Sequence, residues 1–145
     1  MADPTSRPAR PIGRILESAL YVGDMQRARE FYVDLLGFAP LLDSARLLAL
    51  SVSGTSVLLL FQSGATEEPL HTPGGVVPPH GAAGEQHLAF AISADSLDEW
   101  ESRFADAGVR IESRVTWPRG GVSLYVRDPD GHSLELATPG VWEIY

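Results

Sequence analysis

At 145 residues the chain is long enough for one compact domain, or for two small similar halves that share a core. Its 11 basic against 19 acidic residues leave a formal charge of −8, which argues against binding the phosphate backbone of nucleic acids. There is no cysteine, which excludes disulfides, thiolate metal sites and cysteine nucleophiles and fits a reducing compartment such as the cytoplasm.

The opening stretch, 1–13, carries three prolines by Pro11 and few apolar residues, and has no apolar core of a secretion signal. It reads as a disordered leader. No apolar run is long enough to span a bilayer, so a soluble protein without a membrane partner is expected. A first strand is predicted from Arg14 to Val22, broken by Gly23-Asp24. Asp24 can cap an amphipathic helix from Met25 to Leu36, in which Met25, Ala28, Phe31, Tyr32, Leu35 and Leu36 recur at the 3,4 spacing of one face. Gly37 is its stop. Three strands follow, Phe38 to Leu42, Leu47 to Val52 and Ser56 to Gln62, separated by turn-like segments.

From Ser63 to Glu85 the chain is rich in Gly, Pro, Ala and Glu and shows no periodicity, as expected of a linker or mobile loop. His71 and His80 lie in it and read as solvated loop histidines, with His80 a candidate substrate contact. Beyond it come a strand carrying His87 and a helix capped by Asp95 or Ser96 and running to Ala107. Strands are then predicted at Val109 to Ser113, Val122 to Arg127 and Ser133 to Thr138, with Asp128-Pro129-Asp130-Gly131 as a tight turn.

Two of these strands carry ionisable groups among apolar neighbours. Alternation turns His87, Ala89 and Ala91 to one face and Leu88, Phe90 and Ile92 to the other; Glu135 is turned away from Leu134 and Leu136. A histidine and a glutamate on the less apolar faces of two strands suit a metal or general-base site. They also suit a hydrogen-bonded core histidine and a solvated glutamate. The order strand, helix, strand, strand, strand occurs twice, over 14–62 and 86–139, leaving a tail at 140–145. Laying one half on the other sets Glu17 on His87, Gly37 on Gly108 and Leu58 on Glu135.

This order resembles the vicinal oxygen chelate superfamily, which includes glyoxalase I, fosfomycin and bleomycin resistance proteins and extradiol dioxygenases. The resemblance is carried by LYVGDMQRAREFYVDLLGF, HLAFAI and SLYVRDPDGHSLELATP and spans Arg14 to Pro139. It implies an α+β fold of two βαβββ modules whose mixed sheets form a cup around a divalent metal. Position by position it implies metal ligands at Glu17, His87 and Glu135, with Leu58 at the fourth place and Gln62 as a substitute amide. One imidazole and two carboxylates suit Zn, Mn, Ni, Fe or Mg. The implied function is a metal-dependent lyase, isomerase or transferase acting on a small substrate chelated through adjacent oxygens. Glu135 and Glu17 are the catalytic candidates. A metal-free, antibiotic-sequestering binder is the alternative. Trp117, Tyr125 and Trp142 could line the cup, Arg119 could clamp a carboxylate, and a homodimer is expected because many relatives pair modules across subunits.

Overall fold

Strand β1 (Glu17–Val22) begins where its partner strand begins. The residues from Arg14 to Leu16 lack that partner, apart from the Val57 N–H donating to the Leu16 carbonyl at 2.9 Å, and stay outside the strand. The computed structural model describes residues 10–145, so most of the expected leader, residues 1–9, lies outside the described residues.

Asp24 caps the next element as expected: its Oδ1 accepts the Gln26 and Arg27 N–H groups at 2.9 and 3.1 Å. Helix α1 (Met25–Arg29) then widens into a π-helical stretch, Glu30–Leu35, where the sequence spacing predicts a plain α-helix. The wider turn lets two successive aromatics, Phe31 and Tyr32, both enter the core. Gly37, at φ +80°, ends the helix in the left-handed conformation that glycine tolerates.

Strands β2 (Ala39–Asp43), β3 (Leu47–Val52) and β4 (Ser56–Gln62) complete a four-stranded sheet ordered β1-β4-β3-β2, with β1 parallel to β4. The linker holds a short hairpin that the sequence pattern did not signal, β5 (Leu70–Thr72) and β6 (Gly75–Val77). The second unit repeats the first. It has β7 (His87–Ala91), a 3-10 turn at Ala94–Ser96, helix α2 (Leu97–Asp106), β8 (Ser113–Thr116), β9 (Val122–Arg127) and β10 (Ser133–Ala137). Its sheet runs β7-β10-β9-β8 with β7 parallel to β10.

Two expectations need correction here. Ser96 does not cap α2 through its side chain; its hydroxyl donates back to the Ser93 carbonyl at 2.8 Å. The strand expected at Val109 to Ser113 begins only at Ser113, because β9 pairs with 113–116, while Val109 and Ile111 pack against the core as an extended connector.

One face of each sheet is packed against the helices in a single apolar cluster. Leu48, Leu50, Leu58 and Leu60 of the first sheet and Leu124, Val126 and Leu134 of the second are almost wholly buried with Tyr32 and Phe104. Ridges of one module reach the other: Phe38 and Phe90 have ring centroids 5.2 Å apart, and the Arg103 guanidinium donates to the Leu35 carbonyl at 2.6 Å. The buried His132 ring also bridges the modules. Its Nδ1 accepts from the Gln86 N–H at 3.0 Å, which leaves Nε2 to donate to the Tyr21 carbonyl at 2.7 Å. The opposite, open faces of the two sheets carry the alternating sets 17, 19, 21 and 87, 89, 91. Among the described residues no helix is long and apolar enough to cross a membrane.

Candidate metal and substrate site

Parallel pairing sets His87 opposite Ser133 and Ala89 opposite Glu135, so His87 and Glu135 are diagonal neighbours on the open face of the second sheet. His87 Nε2 lies 3.3 Å from Glu135 Oε1. The two groups differ in setting: the His87 side chain is 53% exposed and that of Glu135 only 9%.

Each is held by its other end. The Ser123 hydroxyl donates to Glu135 Oε2 at 2.5 Å, and Trp117 Nε1 donates to the Ser123 oxygen at 2.8 Å. On the histidine, Nδ1 is 2.8 Å from the Ser133 carbonyl oxygen. A carbonyl only accepts, so Nδ1 carries a proton and donates it. In the neutral imidazole the Nε2 lone pair therefore confronts a carboxylate oxygen. Two acceptors at that range are reconciled by a proton shared between them or by a cation that both hold. The Tyr125 ring lies over His87, with centroids 6.2 Å apart and planes 24° apart. Burial, and then the negative charge of Glu135, push the Tyr125 hydroxyl above its ordinary pKa.

Residues 12–136 match the family model for the glyoxalase/bleomycin resistance protein/dioxygenase superfamily. The chain belongs to that superfamily. A solved lactoylglutathione lyase from Agrobacterium tumefaciens superposes with a TM-score of 0.84 at 32% identity, covering 92% of this chain and 99% of that one. Metallothiol transferase FosB of Shouchella clausii is 29% identical over 119 residues, 81% of this chain and 74% of that protein. FosB of Bacillus licheniformis is 38% identical over 58 residues, and there the match spans only 38% of the relative's length.

Against this superfamily framework the predicted site residues divide. His87 and Glu135 meet. Glu17 lies in β1 of the other sheet, exposed, and among the described residues no three His, Cys, Asp or Glu side chains gather where they could hold a metal. The donor set within one chain thus fits a metal in part: two donors share one open corner and a third is wanting.

The fourth position needs correction. Glu17 pairs with Val57 and Ala19 with Leu59, whereas His87 pairs with Ser133 and Ala89 with Glu135. The counterpart of Glu135 is therefore Leu59, while Leu58 points into the core at 1% exposure. Gln62 shares the core parity of Leu58 and is engaged elsewhere, its amide donating to the Gly23 carbonyl at 2.9 Å. Neither supplies a ligand on the open face.

Among the candidate substrate contacts, Trp117 works as the support of Ser123, and Arg119 is paired with Glu143 at 2.8 Å. His80 lies against the first sheet, with its Nδ1 2.5 Å from the Tyr21 hydroxyl and its ring against Phe61. Ser123 was not foreseen. Its one signal in the sequence is a small polar residue at the parity of Tyr125, set between Val122 and Leu124.

Proposed function

We propose that this chain is a divalent-metal-dependent enzyme of lyase, isomerase or transferase type, acting on a small substrate held through two adjacent oxygens. The observation that carries the reading is the approach of two acceptors, His87 Nε2 and Glu135 Oε1, to 3.3 Å. Ligands on neighbouring corners of one coordination sphere stand about that far apart. Glu17 is the third donor in this reading, and it comes from a second copy of the chain. Two features support that assignment. Among the described residues β1 and β7 each pair along one edge only, and Ile12, Ile15 and Leu16, just before β1, are exposed apolar residues that a homodimer would cover.

Zn, Mn, Ni, Fe or Mg would suit one imidazole and two carboxylates. Held by those three residues, such an ion would supply Lewis acidity toward two adjacent substrate oxygens. The chain's own groups do the rest. Glu135 is kept in place by Ser123 and Trp117, Tyr125 covers His87 and offers its hydroxyl to the substrate, and Glu17 or Glu135 takes a substrate proton as base. His80 and Arg119 are the outlying contacts. The relatives, a lactoylglutathione lyase and a metallothiol transferase, favour this range of chemistry. We place the activity in the cytoplasm, in keeping with the cysteine-free sequence.

A metal-free binding role is the second reading, favoured by Leu59 at the fourth position and by the two-donor set within one chain. Metal analysis of protein purified without chelator separates them. About one equivalent per chain, lost in His87→Ala, Glu135→Ala and Glu17→Ala, is the expected result. Metal-free protein that is still folded and binds small ligands would overturn it.

A further inference from the structure

Beyond the positions of His87 and Glu135, the two halves of the chain diverge at a further place on their open faces. Past Glu17, the first sheet fills its open face with aromatic rings. Tyr21 and Phe61 are paired across β1 and β4 and stack with centroids 6.0 Å apart, and His80 from the linker covers them. The same register in the second sheet runs from His87 through Ala89 to Ala91, with Ala137 opposite Ala91. Ala91 therefore stands where Tyr21 stands, and Ala137 where Phe61 stands. Two aromatic side chains have been replaced by methyl groups.

The vacated space is a cavity of about 300 Å³, with Glu135 in its wall and Ala89, Ala91 and Ala137 as its floor. Its other side is made by the chain end, through Trp142, Ile144 and Tyr145. That tail is fixed at three points. The Tyr145 hydroxyl donates to the Ile92 carbonyl, Glu143 pairs with Arg119, and Gly140 meets Gly121 backbone to backbone. Yet Trp142 and Ile144 stay 77% and 84% exposed. Among the described residues nothing covers these large apolar side chains, although the segment that carries them is anchored.

We propose that this cavity receives a flat aromatic group of the ligand, whose adjacent oxygens face His87 and Glu135. The first module supplies its own rings at the equivalent place; the second leaves the place for the ligand's. From Ala89 to Ala91 the strand advances by roughly 7 Å, the width of a single six-membered ring. The carboxylate at one end gives orientation and the apolar floor and tail give the ring-binding energy, the usual division in small-molecule sites. The inference rests on the reading of His87 and Glu135 as the oxygen-binding end.

The test uses two hydroxamates that present the same pair of oxygens, benzohydroxamate with a phenyl ring and acetohydroxamate with a methyl group. Calorimetric titration of the full chain should give at least about tenfold tighter binding of the ring-bearing probe. In Ala91→Phe, which restores the ring that the first module carries, the ratio of the two affinities should fall to near one. Trp142→Ala, at an exposed position, should lower that ratio severalfold without disturbing the core. Equal affinities in the unaltered chain, no binding of either probe, or a ratio that survives Ala91→Phe would each overturn the proposal. Glu135→Ala separates it from the proposed function. Loss of both probes supports the two together, whereas benzohydroxamate binding that persists there and is abolished by Ala91→Phe keeps the ring pocket and removes the oxygen-binding end.

Discussion

Tyr32 donates its hydroxyl to Asp128 over 2.6 Å, tying the helix of the first module to the turn before the last strand of the second. Both groups are buried, and Asp128 spends its other oxygen on the Asp130 and His132 N–H groups at 3.0 and 2.8 Å. Tyr32→Phe would leave a buried carboxylate short of a donor, at a cost of about 1–3 kcal/mol in denaturant unfolding. The bond also has an alkaline signature. Burial first, then the Asp128 charge, raise the Tyr32 pKa far above its ordinary value. A raised pKa in the folded state means that the contribution is complete below about pH 10 and falls away as pH climbs beyond it, where the unfolded tyrosine ionises. Stability curves measured from pH 8 to 11 should therefore fall less steeply in Tyr32→Phe. Parallel curves would show that the hydroxyl is not held as described.

Ser123 touches neither His87 nor any open solvent, but it fixes which oxygen Glu135 turns toward the histidine. If the proposed metal role holds, Ser123→Ala should leave the fold intact and weaken divalent-metal affinity by about 10–100-fold, the usual effect of removing a ligand's supporting partner. Competition titration against a chelating dye measures this directly. An unchanged affinity would mean that Oε2 needs no anchor.

Much of this architecture was legible because duplication and alternation leave strong marks. The spacing around Phe31 and Leu35, the glycine stops at 37 and 108, and the DPDG turn carry the fold, and parity alone sends His87 and Glu135 to the same side. Register was the weak point. A one-residue slip flips a strand's faces, and the sequence offered no marker to choose Leu59 over Leu58 as the counterpart of Glu135. The π-helical widening was hidden too, since adjacent aromatics at 31 and 32 read as one broad α-helical face. That Glu17 stands apart from the pair, in the other sheet, could not be read at all, because it depends on how whole sheets are arranged rather than on any local pattern.

Tyr125 reports on the charge of its neighbour. Burial contributes most to its raised pKa, and the Glu135 carboxylate opposite it adds to the rise. In Glu135→Gln that second contribution disappears, so the hydroxyl should ionise at lower pH than in the parent, moving part of the way back to the ordinary tyrosine value. Absorbance titration near 295 nm, with Tyr125→Phe to identify the transition, gives the comparison. A shift in the upward direction would be incompatible with a charged Glu135 beside that ring.

Gly121 and Gly140 approach so closely that a side chain cannot fit between them. A Cβ on Gly121 would lie 2.5 Å from the Gly140 carbonyl carbon and 2.6 Å from the Val141 nitrogen, both backbone atoms with little freedom to retreat. Gly140 itself sits at φ +103°, which favours glycine. Gly121→Ala should therefore push the tail off the sheet, at about 1–3 kcal/mol where the strain is absorbed within the fold. For a chain of this size, each kcal/mol lowers Tm by about 2–4 °C. Release of the tail has its own readout, since residues 141–145 should become rapidly accessible to carboxypeptidase while the β-sheet signal in circular dichroism persists. A variant with the parent's Tm and the parent's resistance at the chain end would show that the two glycines do not bear on each other.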